Sequence, residues 1–244
     1  MASLEPLPSQ GPLLSIESLS AGYHRRPVVF DVTFDVAPGE IVAVLGHNGA
    51  GKTTTLKAAF GLIKPLRGQV RYQGQDITGT SCARHVRLGM SYTPSERFVF
   101  PDLTVAANLR LGALMEASRG ERNRRLDQVH ELFPLLKERE SQLAGTFSGG
   151  EQRILSVGIA LMSNPRLMFF DEPSLGVSPA ITQQILSALR HMADEDGRGI
   201  VLLEQNVGYA LREADRVYVM RSGRIILKES AEEMRGRTHW WDLF

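Results

Sequence analysis

Apolar and polar positions alternate at Leu14, Ile16 and Leu19 and again from Val28 to Val36, with Gly22 and Pro27 interrupting the pattern. A period of two puts successive side chains on opposite faces, so these stretches predict antiparallel strands at the start of the chain. After a turn at Pro38-Gly39, Ile41-Val42-Ala43-Val44-Leu45 is apolar throughout, as expected of a strand covered on both faces. A helix is predicted from about Gly51 to Phe60, with Gly61 as its C-terminal stop. Leu167 to Phe170 and Ile200 to Leu203 repeat the strand pattern and flank a helix from Pro179, in which Ile181, Ile185, Leu189 and Met192 share a face. This β-α-β order implies a parallel sheet with helices packed on it. Val217 to Met220 and Arg224 to Leu227, joined around Ser222-Gly223, predict a closing hairpin.

Between residues 90 and 163 the periodicity turns helical: Leu126, Val129, Leu132 and Phe133 fall on one face, with Arg122, Arg124, Arg125 and Asp127 around the other. The expected organisation is therefore one α/β unit over residues 13–244. Residues 13–89 and 164–244 form its core, and 90–163 form an inserted helical subdomain. Met1 to Pro12, with three prolines and neither a basic start nor a long apolar run, is expected to be a disordered leader. The Trp240-Trp241 pair reads as packing for a terminal segment.

At 244 residues the chain is long enough for a substantial core. A net charge of +1 argues against nucleic acid as the main partner. No apolar run approaches the roughly 20 residues of a membrane helix. The single cysteine, Cys82, has no internal disulfide partner and is read as inert.

Chemistry enters at Gly46-His47-Asn48-Gly49-Ala50-Gly51-Lys52-Thr53, which fits G-x-x-x-x-G-K-[ST] between a predicted strand and a predicted helix. Glycines let backbone N–H groups converge on phosphate oxygens, and the helix N-terminus adds favourable partial charge. Lys52 would reach the β- and γ-phosphates and the Thr53 hydroxyl would hold Mg²⁺, with Thr54 next in the same turn. An ordinary glycine turn is the competing reading, and the flanking strand and helix weigh against it. Asp171 and Glu172 end the second apolar strand, the usual place for ligands in an open α/β sheet. Asp171 suits a metal-bound water, and Glu172 suits polarisation of an attacking water. A second cradle, Phe147-Ser148-Gly149-Gly150-Glu151-Gln152, precedes that strand. Two cradles for one nucleotide imply a site shared between two copies.

With these motifs the chain resembles the nucleotide-binding subunit of an ATP-binding-cassette (ABC) transporter from Tyr23 to about Leu227. The resemblance implies a P-loop NTPase core with N-terminal antiparallel strands and a helical insert, Mg²⁺-dependent ATP hydrolysis, and a head-to-tail dimer. In that dimer Ser148, Gly149, Gly150 and Glu151 would contact ATP held by the phosphate loop of a second ATP-binding subunit. Tyr23 takes the place of the aromatic that stacks on adenine, with a buried structural tyrosine as the alternative. The runs Asp171-Glu172-Pro173-Ser174-Leu175-Gly176, Glu204-Gln205-Asn206 and Phe98 to Val105 resemble the branched-chain amino-acid importer subfamily, and importers of amides and urea share much of this pattern. The resemblance further implies membrane permease subunits as partners, docked near Phe98 to Leu111, where local core is the even alternative. It implies a periplasmic solute-binding protein as an indirect partner and a peripheral location on the cytoplasmic face of the plasma membrane.

Three positions depart from the family pattern. Ser95, after Pro94, stands where many members carry a Mg²⁺-sensing glutamine; a bridging water or the neighbouring Glu96 would have to supply the missing reach, and a plain loop serine is the alternative. Gln205 replaces the switch histidine and would sense the γ-phosphate as a neutral donor. Ser178, before Pro179, replaces an aspartate and fits a helix N-cap. His47 is assigned no role. Besides the leading reading, an ATP-hydrolysing importer subunit, a regulatory cassette that binds ATP with little turnover stays open.

Overall fold

The computed structural model describes residues 11–96 and 99–237. The chain opens with β1 (Leu14–Tyr23), β2 (Arg26–Val36) and β3 (Ile41–Leu45), followed by α1 (Lys52–Ala59). Next come β4 (Arg67–Tyr72), β5 (Gln75–Asp76), α2 (Cys82–Arg87) and β6 (Met90–Thr93). Helices α3 (Val105–Gly112), α4 (Arg119–Leu132), α5 (Pro134–Glu138) and α6 (Gly149–Met162) lead into β7 (Leu167–Asp171). The remainder is α7 (Pro179–Asp196), β8 (Gly199–Glu204), α8 (Val207–Glu213), β9 (Arg216–Arg221), β10 (Arg224–Ser230) and α9 (Ala231–Arg235).

Two sheets result. An antiparallel sheet runs β2-β1-β4-β5, and a six-stranded sheet runs β10-β9-β3-β8-β7-β6. Strands β9, β3, β8, β7 and β6 are parallel to their neighbours, while β10 returns antiparallel to β9. Why β3, β7 and β8 are apolar at nearly every position is visible in the packing. Val42, Val44, Leu167, Phe169, Val201 and Leu203 face a core shared with the antiparallel sheet and α1. Ile41, Ala43, Leu45, Met168, Phe170, Ile200 and Leu202 face a second core shared with α3, α6, α7 and α8. Each strand feeds two cores on a period of two, so a polar residue has no solvent-facing position to occupy.

The predicted helix after the first apolar strand, the Pro179 helix and the closing hairpin are all present. Ser222 and Gly223, with φ of 48° and 78°, make the left-handed turn between β9 and β10. The boundary at residue 90 is corrected: Met90 to Thr93 form β6, paired in parallel with β7 from Met90↔Leu167 to Thr93↔Phe170. As the edge strand of the larger sheet, β6 has one strand neighbour and carries Ser91, Tyr92 and Thr93, so it lacks the apolar run that marks β3 and β7. The helical segment therefore begins after β6. Strands β4 and β5 and helix α2 have too few buried apolar positions to show in the pattern. Trp240, Trp241, Arg97, Phe98 and most of the expected leader lie outside the described residues.

Candidate nucleotide site

The C-terminal ends of β3 and β7 come together because both strands pair with β8. Beyond β3 the chain turns through Gly46 to Gly51 and enters α1. Gly51 caps that helix at φ 103°, and a Cβ there would lie 2.6 Å from Val29 Cγ1, so both backbone and space require glycine. The first-turn N–H groups of a helix have no partner within it. Here they open on a cleft of about 130 Å³ lined by Val28, His47, Asn48, Gly49, Ala50, Gly51, Lys52, Thr53, Thr54 and Glu172.

Two polar clusters meet at this cleft. In the first, buried Lys52 donates to the carbonyls of Gly46 at 2.7 Å and His47 at 3.3 Å, and pairs with Glu172 at 3.2 Å. Gln205 Nε2 donates to Glu172 Oε2 at 2.8 Å and to Asn48 Oδ1 at 2.7 Å. Glu172 has φ 51°, a left-handed backbone uncommon for a non-glycine residue, which turns the chain off the end of β7. In the second cluster, Thr53 Oγ1 donates to Asp171 Oδ1 and the Tyr92 hydroxyl donates to Asp171 Oδ2, both at 3.0 Å. Burial pushes the Asp171 carboxyl above its usual range, and these two hydrogen bonds pull it back.

Sequence reasoning assigned no role to four residues that support the site. Glu204 ends β8 fully buried and accepts from Ser174 N at 3.1 Å and Ser174 Oγ at 2.7 Å. It thereby ties the turn that follows Glu172 to the strand end that carries Gln205. Burial raises its carboxyl above the ordinary value. Arg153, buried on α6, donates to the carbonyls of Pro94 at 2.8 Å and Ser95 at 2.7 Å. Burial lowers its guanidinium to about 10, against the attraction of Glu204 and Asp171, and it stays protonated at neutral pH. Tyr92 completes the set. Contacts between segments distant in the chain, strand to strand for Tyr92, turn to strand end for Ser174 and Glu204, and helix to loop for Arg153, bring these four to the site, and local sequence does not encode them.

The other candidates sit differently. Ser95 is fastened through its carbonyl, and among the described residues no hydrogen bond joins it to Thr53 or Asp171. Tyr23 is 42% exposed, so the buried structural alternative is overturned. Ser148 caps α6 in a capping box: its hydroxyl accepts from Glu151 N at 3.3 Å and Glu151 Oε2 accepts from Ser148 N at 2.8 Å. Glu151 also pairs with Arg139 at the end of α5 at 3.0 Å, so its carboxylate is shared between the start of α6 and the end of α5. Gly149 is exposed, and among the described residues nothing beyond its chain neighbours and its own helix backbone lies within 4 Å of where a Cβ would stand. Gly150 is buried against α7, where a Cβ would lie 2.6 Å from Ile181 Cδ1. Ser178 caps α7 through Ile181 N, and Pro179 occupies the first turn. None of Ser148, Gly149, Gly150 or Glu151 lines the phosphate-loop cleft.

Comparison with known proteins matches this arrangement. The family model described as "ABC transporter" covers residues 29–175. The chain is 41% identical over 218 residues, 89% of itself and 93% of that protein, to the high-affinity branched-chain amino acid transport ATP-binding protein BraG of Pseudomonas aeruginosa. It is 35% identical over 91% of its length, and 92% of that protein's, to the lipopolysaccharide export system ATP-binding protein LptB of Acidithiobacillus ferridurans. A solved ATP-binding subunit of an ABC transporter superposes with a TM-score of 0.81 at 32% identity, covering 91% of this chain and 92% of that one. The α/β architecture is accordingly that of a P-loop NTPase, and the chain belongs to the ABC transporter family as one of its ATP-hydrolysing, ATP-binding cassettes.

Proposed function

We propose that this cassette powers import of branched-chain amino acids or related small polar solutes through separate membrane permease subunits. The observation that carries the hydrolytic part is the convergence on Glu172, held between Lys52 at 3.2 Å and Gln205 at 2.8 Å at the edge of the phosphate-loop cleft. The solute class is supported by the 41% identity to BraG over most of both chains. Export of lipopolysaccharide is the second reading, supported by the 35% identity to LptB.

In the proposed mechanism, backbone N–H groups of Gly49 to Thr54 bind the phosphates and Lys52 neutralises the β- and γ-oxygens. Glu172 accepts a hydrogen bond from the attacking water and aligns it with the γ-phosphorus. Gln205, a neutral donor already bonded to Glu172, holds that carboxylate in place and reports on the γ-phosphate. Tyr23 stacks on adenine. Thr53 and Asp171 fit Mg²⁺: they are hard oxygen donors, and a buried carboxylate with a raised pKa is stabilised by a cation beside it. When bound, Mg²⁺ polarises the phosphoryl oxygens and offsets their developing charge.

Ser148 and Gly149, exposed and outside the cleft, would complete the ATP site of a second copy or a related cassette. The permease would dock near Phe100 and Leu103, which are 58% and 38% exposed; local core, the alternative for this segment, does not describe these two. No helix among the described residues is long and apolar enough to cross a membrane. The cassette would sit on the cytoplasmic face of the plasma membrane, held there by the permease. A solute-binding protein would act through the permease.

Phosphate release by the purified chain tests the hydrolytic reading, and wild-type protein that binds ATP without turnover would favour a regulatory cassette. Co-purification of permeases followed by uptake of labelled leucine decides between import and lipopolysaccharide export.

A further inference from the structure

Asp171 is gripped on both oxygens, by Thr53 from α1 and by Tyr92 from β6. Thr53 lines the phosphate cleft, whereas Tyr92 does not. The Tyr92 ring stacks on Phe60 with centroids 5.5 Å apart and planes at 28°. Phe60 in turn meets Phe169 edge-on at 5.9 Å. Phe60 is the C-terminal cap of α1, the helix whose first turn carries Thr53. One helix therefore supplies the hydroxyl on one side of the carboxylate and, at its far end, the aromatic plate that orients the donor on the other side.

The choice of donor matters chemically. A lysine or arginine at this point would neutralise Asp171 and compete with any cation for it. A phenol leaves the full negative charge in place while restricting rotation of the carboxylate. We propose that Tyr92 is a positioning residue for the divalent cation: it holds Asp171 Oδ2 so that Oδ1, beside Thr53 Oγ1, faces the metal. This rests on the reading of Thr53 and Asp171 as the Mg²⁺-binding pair. Partners of metal ligands that sit one layer out change metal affinity by roughly 10–100-fold when removed.

The test is Mn²⁺ binding to the full chain saturated with ADP, followed by electron paramagnetic resonance, together with ADP affinity in EDTA. Tyr92→Phe keeps the stacked ring and removes only the hydroxyl. The expected result is Mn²⁺ binding about 10-fold weaker, with ADP affinity in EDTA unchanged. Equal Mn²⁺ affinity in the variant and the wild type would overturn the role of Tyr92 while leaving the metal pair standing. An equal loss of ADP affinity with and without metal would also overturn it, by showing a purely structural effect. Wild-type protein in which Mn²⁺ binds no better than to free ADP would remove the metal pair itself, and the proposal with it.

Discussion

The two glycine-rich turns of this chain are built in opposite ways. At the phosphate loop, Lys52, Glu172, Gln205 and Asn48 bond to one another, and Thr53, Asp171 and Tyr92 do the same beside them. At the second turn, Phe147 to Gln152, Ser148 and Glu151 close the capping box of α6, Glu151 also pairs with Arg139, and no described part of the chain outside the turn lies within 4 Å of a Cβ at Gly149. The first is a site whose parts come from four strand or helix ends of one chain. The second is a capped helix start whose Ser148 and Gly149 are exposed and stand outside the cleft. Such a difference fits the composite site proposed above, with the chemistry concentrated on one half and the contact surface on the other.

The largest expected effect strikes the first half. Glu172→Gln should leave ATP binding intact and lower phosphate release by about 10²–10⁴-fold, while prolonging the ATP-bound dimer seen by size-exclusion chromatography. Turnover near the wild-type rate would break the assignment of Glu172. The matching cut on the second half is Gly149→Glu. Since the position is open, melting temperature and ATP binding by the monomer should not change, but ATP-driven dimerisation should be lost; a variant that still dimerises on ATP would show that the second turn faces something else.

A smaller effect asks how far the first half extends. Tyr23→Ala should weaken ATP binding by about 10-fold and Tyr23→Trp should restore it, as expected for roughly 1–3 kcal/mol of base stacking, measured by fluorescence titration. Equal affinities would confine the site to the phosphates.

The smallest effect concerns the scaffold beneath Glu172. Burial holds the Glu204 carboxyl above its ordinary value of 4.5, so the folded chain keeps a proton there that the unfolded chain has released. Stability therefore falls as pH rises from about that value through the raised one, because the unfolded state binds fewer protons in that window. Asp171 contributes in the same sense. Glu204→Gln should flatten part of this slope in thermal melts between pH 4.5 and 8, and an unchanged slope would show that Glu204 is not titrating there. Gln205, which has no proton to gain, should add no pH dependence to turnover between pH 5 and 8; Gln205→His should introduce one.

Much of the molecule was legible in its residues. The strands covered on both faces announce themselves because each feeds two cores, and Gly51 and Ser148 mark helix starts through backbone and capping preferences that act over a few residues. Edge strand β6 was absorbed into the helical insert because one strand neighbour leaves no distinctive pattern. Ser95 drew attention for its side chain, whereas the structure holds it by its carbonyl through Arg153, a residue on a helix more than fifty positions away. Glu204 entered only as part of the run Glu204-Gln205-Asn206, with no role of its own, and Tyr92 had no signal beyond being a polar residue near a strand end.

From sequence alone, then, came the fold class, the glycine-rich loop before α1, the acidic strand end and a second glycine-rich helix start at Ser148. These are set by local rules: periodicity, turn chemistry, and the few residue types that bind phosphate. Only the tertiary structure decided which carboxylate oxygen each donor holds, that Glu204 anchors the turn after Glu172, and that the turn at Ser148 to Glu151 does not line its own chain's phosphate-loop cleft. Those facts depend on the order β8-β7-β6 and on helices brought together from distant positions, so no window of sequence contains them.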